Sequence, residues 1–118
     1  MQTLLFILNE GPYGSEKTFN ALRLALNIKE EYADQVSINI FLMSDSVTAT
    51  LANQRPAEGY NIEQMLEILL AQGATLKLCK TCVDARGISE PQLIEGAKIS
   101  TLIELSQWTM SADKVLTF

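Results

Sequence analysis

Short apolar runs alternate with longer amphipathic segments along the chain. Two of the runs, Thr3–Leu8 and Val36–Met43, are too short for helices and end in polar or turn-forming residues. Runs of this kind are typical of strands that are buried on both faces of a parallel sheet. Ala74–Leu78 and Asp113–Phe118 have a similar character. The pattern therefore predicts at least four strands.

Two amphipathic helices are predicted between these strands. The first begins at a Ser15 N-cap and reaches about Tyr32, and the second begins at an Asn61 N-cap and ends at Gly73. Apolar residues recur in both at the spacing of a helix that packs one face on a sheet. They are Phe19, Leu22, Ala25 and Leu26 in the first, then Ile62, Met65, Leu66, Leu69 and Leu70 in the second.

The remaining segments have weaker patterns. Ser46–Leu51 is expected to form a short helix. Ala52–Asn61 contains Pro and Gly without apolar periodicity, so we expect an ordered loop at a site or a subunit contact. A last helix is expected over Ile99–Met110. Its residues available for burial are Leu102, Ile103, Leu105 and Trp108.

The alternation of strands and helices predicts one α/β domain over residues 1–118, with an open, mostly parallel sheet and helices on both faces. In such folds, ligands gather at the carboxyl ends of the strands. Three separate segments are expected to meet at that edge, namely Asn9–Gly14, Ser44–Asp45 and Cys79–Cys82. A functional site is therefore predicted there.

Composition excludes several classes of protein. A net charge of −5 in 118 residues argues against a nucleic-acid partner. The chain has no histidine, which excludes Ser-His-Asp and Cys-His catalysis within one chain. No segment approaches the roughly 20 apolar residues of a membrane span, and the first apolar run lacks the basic flank of a signal peptide. We therefore expect a cytoplasmic protein, without a membrane partner, whose thiols are reduced at rest.

The most reactive candidate groups are the two cysteines, Cys79 and Cys82, in a Cys-x-x-Cys spacing between a predicted strand and a predicted helix. The free N–H groups and positive dipole end of a helix favour thiolate over thiol. Lys77, Lys80 and Arg86 add positive charge to this segment. The pattern favours Cys79 as a nucleophile. Cys82 either packs against the sheet or resolves a mixed disulfide or persulfide on Cys79.

Other candidate sites have less support. Structural zinc needs four ligands, and the chain offers two thiols and no imidazole, so no metal or other cofactor is expected. The loop around Tyr13 and Gly14 could cradle an anion, although it lacks the lysine of a P-loop. Asp45 is either a strand-end cap or a site carboxylate. Arg86 either holds an anionic sulfur species or caps a helix end.

Blocks along the whole chain resemble one protein family. Leu76–Cys79 followed by Arg86–Ile88 is similar to the strand–Cys–helix–Arg-Gly setting of the acceptor cysteine in the DsrE/DsrF-like family of sulfur-relay proteins. Cys82 and Ala85 depart from the relay-subunit pattern. Further blocks point to the YchN-like branch of the family, and they are Asn9–Glu16, Phe41–Asp45, Gly59–Leu69 and Ala112–Phe118.

The resemblance implies a three-layer α/β/α sandwich on a five-stranded parallel sheet, assembled as a homotrimer or homohexamer. A short fifth strand is then expected near Gly96–Ile99. The resemblance also implies that Cys79 accepts persulfide sulfur, with donor and acceptor proteins as partners. The alternatives are a non-catalytic oligomeric module that binds a small ligand or partner, with Tyr13 and Asp45 in its pocket, and a Cys-x-x-Cys redox sensor.

Overall fold

The computed structural model describes residues 1–118 and contains one five-stranded sheet. The strands are β1 (Gln2–Leu8), β2 (Val36–Leu42), β3 (Thr75–Cys79), β4 (Ala97–Ser100) and β5 (Lys114–Thr117). They lie in the order β4-β3-β2-β1-β5, and all four neighbouring pairs are parallel. The predicted five-stranded parallel sheet is confirmed, with β4 as its short additional strand.

Helices cover both faces of the sheet, as predicted. They are α1 (Lys17–Tyr32), α2 (Ile62–Ala71), α3 (Lys80–Ala85) and α4 (Leu102–Ser111). Three 3₁₀ helices span Ala33–Gln35, Ser44–Thr50 and Glu90–Gln92. The second of these corresponds to the short helix expected after β2. None of the helices has the length and apolar character needed to cross a membrane.

The two faces of the sheet are covered unequally. Nineteen buried residues form the core between the sheet and the layer of α1, α2 and α3, whereas only Leu5, Phe41 and Leu105 form the buried cluster under α4. Side chains alternate along β3, so Leu76 and Leu78 enter the large core, while Cys79 packs with the small cluster. The sulfur of Cys79 therefore lies on the thinly covered face.

Two helix starts differ in how well they match the sequence-based expectation. α1 has Glu16 rather than Ser15 at its N-cap, without a side-chain cap, and the Ser15 hydroxyl accepts a 3.3 Å hydrogen bond from the Lys17 amide. Asn61 does cap α2, because its side chain accepts from the Gln64 amide at 3.1 Å.

The expected last helix was wrong at its beginning. Ile99 pairs with Leu78 as part of β4, and the helix begins only at Leu102, where the Thr101 side chain accepts from the Glu104 amide. Burial was also wrong in part, since Leu102 and Ile103 are 65% and 71% exposed. α4 covers its sheet face alone, so no second helix packs against these two side chains.

Packing of α2 provides a test of the large core. Leu66 is 1% exposed, whereas Ile68 on the same helix is 48% exposed. Leu66→Ala should lower the free energy of unfolding by about 2–5 kcal/mol, because it removes buried methyl groups and leaves a cavity. Ile68→Ala is the matched control and should cost less than about 1 kcal/mol. Urea unfolding measures both, and equal losses would contradict this assignment of the core.

Candidate functional site

Cys79 and Cys82 lie at the junction of β3 and α3. Cys79 is the last residue of β3 and the N-cap of α3, and Cys82 occupies the third helical position. Side chains at these two helix positions are neighbours, as in a capping box. Both thiols are free and half-buried. α3 has only six residues, so its dipole is that of a helix of under two turns.

The environment of Cys82 disfavours its thiolate. Burial raises the pKa of Cys82, and the neighbouring Cys79 thiol raises it further, while a hydrogen bond from the Ser44 amide and the charge of Arg86 act in the opposite direction. The Ser44 amide donates to Cys82 Sγ at 3.2 Å. Because the net pKa lies above that of an ordinary thiol, Cys82 is protonated at neutral pH.

Asp45 and Arg86 form an ion pair beside Cys82. The Nε and Nη2 atoms of Arg86 donate to Asp45 Oδ1 at 3.0 and 2.8 Å, and Nη1 donates to the Cys82 carbonyl at 3.0 Å. The structure thus brings together three residues that the sequence singled out. Each nitrogen of the guanidinium already has a partner, so Arg86 ties the segment after β2 to α3.

The two lysines expected near the thiols are paired with carboxylates. Lys80 lies on the exposed face of α3 and donates to Asp84 at 2.6 Å. Lys77 forms an ion pair with Glu104 and lies 4.8 Å above the ring of Trp108. Both lysines are close to the thiols in sequence, as predicted. However, Lys77 on β3 pairs with Glu104 of α4, and Lys80 pairs with Asp84 one turn later on α3. Of the three cations, Arg86 is the one that influences the pKa of Cys82.

Tyr13 joins the loop after β1 to the start of α2. Its hydroxyl donates to Gln54 Oε1 at 2.7 Å and accepts from the Ile62 amide at 3.2 Å, and its ring stacks on Tyr60. These partners differ from those of the cysteines and Asp45. Gly14 has a φ of +98°, and a Cβ added there would meet no other atom within 4 Å. Gly14 therefore serves the turn, which needs a positive φ, rather than a close approach.

The loop over 52–61 is ordered, as expected, and Gln54 holds it in place. The side-chain nitrogen of Gln54 donates to the carbonyls of Ala49 and Leu51 at 2.7 and 2.9 Å. The backbone amide of Gln54 donates to the Glu63 carboxylate at 2.8 Å. The same side chain accepts the hydrogen bond from Tyr13. Gln54 therefore fixes the loop to both neighbouring segments.

The role of Ser44 could not be predicted from the sequence. Its contribution is a backbone amide directed at Cys82, and it adopts a φ of +53°, an unusual conformation for a non-glycine residue. No side-chain pattern signals such a backbone contact. Ser46, two residues later, donates its hydroxyl to the carbonyls of Leu8 and Met43, which joins the ends of β1 and β2.

The cysteines are separated from two other features of the sheet. One is the boundary between β1 and β5, since β2, β3 and β4 follow β1 on one side of it and β5 lies on the other side. There the Phe118 amide donates to the Ile7 carbonyl, and the Phe118 ring stacks on Phe6. A cavity of about 730 Å³ lies at the amino ends of β1 and β2 and is lined by Leu4, Ile28 and Val36 among others. No cluster of three or more acidic residues or cysteines could hold a metal ion.

Comparison with known proteins identifies the family. The sequence profile of the DsrE/DsrF-like family matches residues 2–118. This chain belongs to the DsrE/DsrF-like family. It is 58% identical over 118 residues to Protein YchN of Escherichia coli strain K12, with both chains covered completely. The predicted family and its YchN-like branch are therefore confirmed.

More distant members and solved structures agree with this assignment. The uncharacterized protein MJ0989 of Methanocaldococcus jannaschii is 38% identical over 95% of this chain and 96% of its own. The crystal structure of the Escherichia coli YchN protein superposes with a TM-score of 0.96 over the whole of both chains. Protein MTH1491 from Methanobacterium thermoautotrophicum, at 17% identity and a TM-score of 0.76 over both full chains, shares the fold.

The pair of Lys77 and Glu104 leads to a pH-dependent prediction. Hydrogen bonds from Lys77 and then Ser100 lower the pKa of Glu104 below its usual 4.5. A carboxyl whose folded pKa is lowered stabilises the fold above the unfolded pKa, and this contribution is lost as pH falls through the folded pKa. The stability advantage of the wild type over Glu104→Gln should therefore shrink between pH 7 and pH 3.

Urea unfolding of both proteins at the two pH values measures this advantage. Glu67→Gln, which removes an exposed carboxylate of α2 that forms no ion pair, is the control. An advantage that stays constant down to pH 3 would contradict the assigned role of Glu104.

Proposed function

We propose that this protein is a cytoplasmic sulfur carrier in which Cys79 accepts persulfide sulfur. The single observation that carries the proposal is the position of Cys79, half-buried at the carboxyl end of a sheet strand and at the N-cap of α3. Membership of the DsrE/DsrF-like family supports it. Burial and the neighbouring thiol raise the pKa of Cys82, which disfavours Cys82 as the attacking thiolate.

The transfer is a substitution at sulfur. The Cys79 thiolate attacks the outer sulfur of a donor persulfide, a new S–S bond forms, and the donor leaves as a thiolate. Cys79 then carries one additional sulfur as Cys79–S–SH. The thiolate of an acceptor protein takes the outer sulfur by the same chemistry and returns Cys79 to its thiolate. No net oxidation or reduction takes place in this cycle.

Cys82 offers a second way to discharge the sulfur. Attack by Cys82 on the inner sulfur, Sγ of Cys79, would form the Cys79–Cys82 disulfide and release the outer sulfur as hydrogen sulfide. An external dithiol would then have to reduce the disulfide before another turnover. The adjacency of the N-cap and third helical positions supports this step. The same adjacency favours a Cys-x-x-Cys redox sensor as the second candidate function.

Sulfur loading can be observed directly by mass spectrometry. After incubation with cysteine and a cysteine desulfurase, the intact chain should gain about 32 Da, the mass of one sulfur atom in a persulfide. Cys79→Ser should abolish the adduct, because it removes the attacking thiolate. Cys82→Ser is the matched control and should retain it. An unmodified wild type, beside a carrier protein that is loaded in the same mixture, would contradict the proposal and favour a non-catalytic binding module.

We also propose that the chain assembles with copies of itself as a homotrimer or homohexamer. The thinly covered face of the sheet supports this, because α4 and the edge strand β5 expose apolar side chains. They are Leu102, Ile103 and Met110 on α4 and Val115 on β5, at 65%, 71%, 87% and 42% exposed. Several exposed apolar side chains on two neighbouring elements favour a protein–protein contact.

Sedimentation velocity can test the assembly. The wild type should sediment as a trimer or hexamer, and Ile103→Asp should shift it toward the monomer, because a charge placed in an apolar contact loses its hydration. Leu24→Asp on α1, where Leu24 is 37% exposed on the opposite layer, is the control and should leave the assembly unchanged. A monomeric wild type would contradict the proposal.

A further inference from the structure

The segment that follows β2 holds Cys82 at two points. Ser44 contacts the sulfur directly, and Asp45 acts on the backbone through Arg86. The Ser44 amide donates to Cys82 Sγ at 3.2 Å. Asp45 holds Arg86 through two hydrogen bonds, and Arg86 donates to the Cys82 carbonyl at 3.0 Å. We call Ser44, Asp45 and Arg86 the Cys82 clamp. Side chain and backbone of Cys82 are thus both fixed to the end of β2.

The backbone of Ser44 adopts an unusual conformation next to the thiol. Ser44 has a φ of +53°, a conformation that carries a steric cost in a non-glycine residue. Such residues persist where the surrounding structure determines them, and they concentrate at functional sites. Here the unusual conformation belongs to the residue whose N–H meets the sulfur. The strained residue and the thiol therefore form one unit.

We propose that Asp45, acting through Arg86, positions Cys82 so that the pair of cysteines resists closing into a disulfide. A disulfide needs an S–S distance of about 2.05 Å and a restricted dihedral angle. Both thiols are free, so closure has to move one or both sulfurs, and on Cys82 that movement works against the hydrogen bond from the Ser44 amide and against the carbonyl held by Arg86. The clamp therefore stabilises the dithiol and is weakened in the disulfide.

The clamp would regulate the site under the proposed function, on which this consequence rests. While Cys82 is held, a sulfur on Cys79 stays available for transfer to an acceptor protein. When the clamp opens, Cys82 can attack Cys79 and discharge the sulfur as sulfide. Asp45 and Arg86 are positioning residues in this scheme, since they act on the reacting atoms through Cys82.

The equilibrium between dithiol and disulfide tests the clamp without any persulfide. The full-length protein is equilibrated with a mixture of reduced and oxidised glutathione. The oxidised form takes up two electrons and two protons from the two thiols and becomes two molecules of reduced glutathione. Asp45→Asn should raise the equilibrium constant for disulfide formation at least threefold, which corresponds to a reduction potential about 14 mV more negative. Free thiols are counted by mass spectrometry after alkylation.

Asp84→Asn is the matched control. Asp84 also forms a carboxylate ion pair with a cation of α3, Lys80, but neither residue is hydrogen-bonded to Cys82. The equilibrium constant for disulfide formation in Asp84→Asn should equal that of the wild type. Equal constants in Asp45→Asn and wild type, or a disulfide that forms in neither, would overturn the proposal. Asp45 has a side chain that is 74% exposed, so its substitution leaves the core intact.

A kinetic measurement on Cys82 alone provides a second readout. In a Cys79→Ser background, iodoacetamide should alkylate Cys82 at least threefold faster when Asp45→Asn is added, because losing the Asp45–Arg86 pair frees the Cys82 backbone that positions Sγ at the Ser44 amide. Arg86→Lys keeps the charge but loses the paired hydrogen bonds, and it should behave as Asp45→Asn does. Unchanged alkylation in both variants would overturn the clamp while leaving the persulfide measurement on Cys79 unaffected.

Discussion

Side-chain alternation along β3 determines which face of the sheet carries the Cys79 sulfur. Leu76 and Leu78 enter the large core, so the intervening positions and Cys79 must face the layer that only α4 covers. A shift of one residue would move the sulfur into the core and both leucines to the other face. The nineteen-residue core thus holds Cys79 in place without enclosing it.

Cys82 has a different environment because it lies on α3, which packs on the other layer. It contacts the large core, accepts a hydrogen bond from Ser44 and is disfavoured as a thiolate by burial. The two cysteines are thus only one helical turn apart, at the end of β3 and in α3, but their surroundings differ. Such a pair of thiols fits the function proposed above, in which one accepts sulfur and the other controls its release.

The unequal covering of the sheet connects the proposed site with the proposed assembly. α4 packs through Leu105 and Trp108 on the face that carries Cys79, while its outer side chains remain exposed. A second chain seated on this face would lie on the same side of the sheet as the sulfur. Sulfur donors and acceptors would then approach Cys79 in the setting of an oligomer.

The sequence by itself determined the parallel sheet, the α2 cap at Asn61 and the cysteine pair at a strand end, because periodicity, caps and spacing are local properties of the chain. Only the tertiary structure decided that Lys77 pairs with Glu104, that Asp45 meets Arg86, and that the Ser44 amide meets Cys82. Such contacts depend on strand register and on which layer covers each face. They join residues far apart in the chain. In one of them the donor is the backbone amide of Ser44, which no side-chain pattern can reveal.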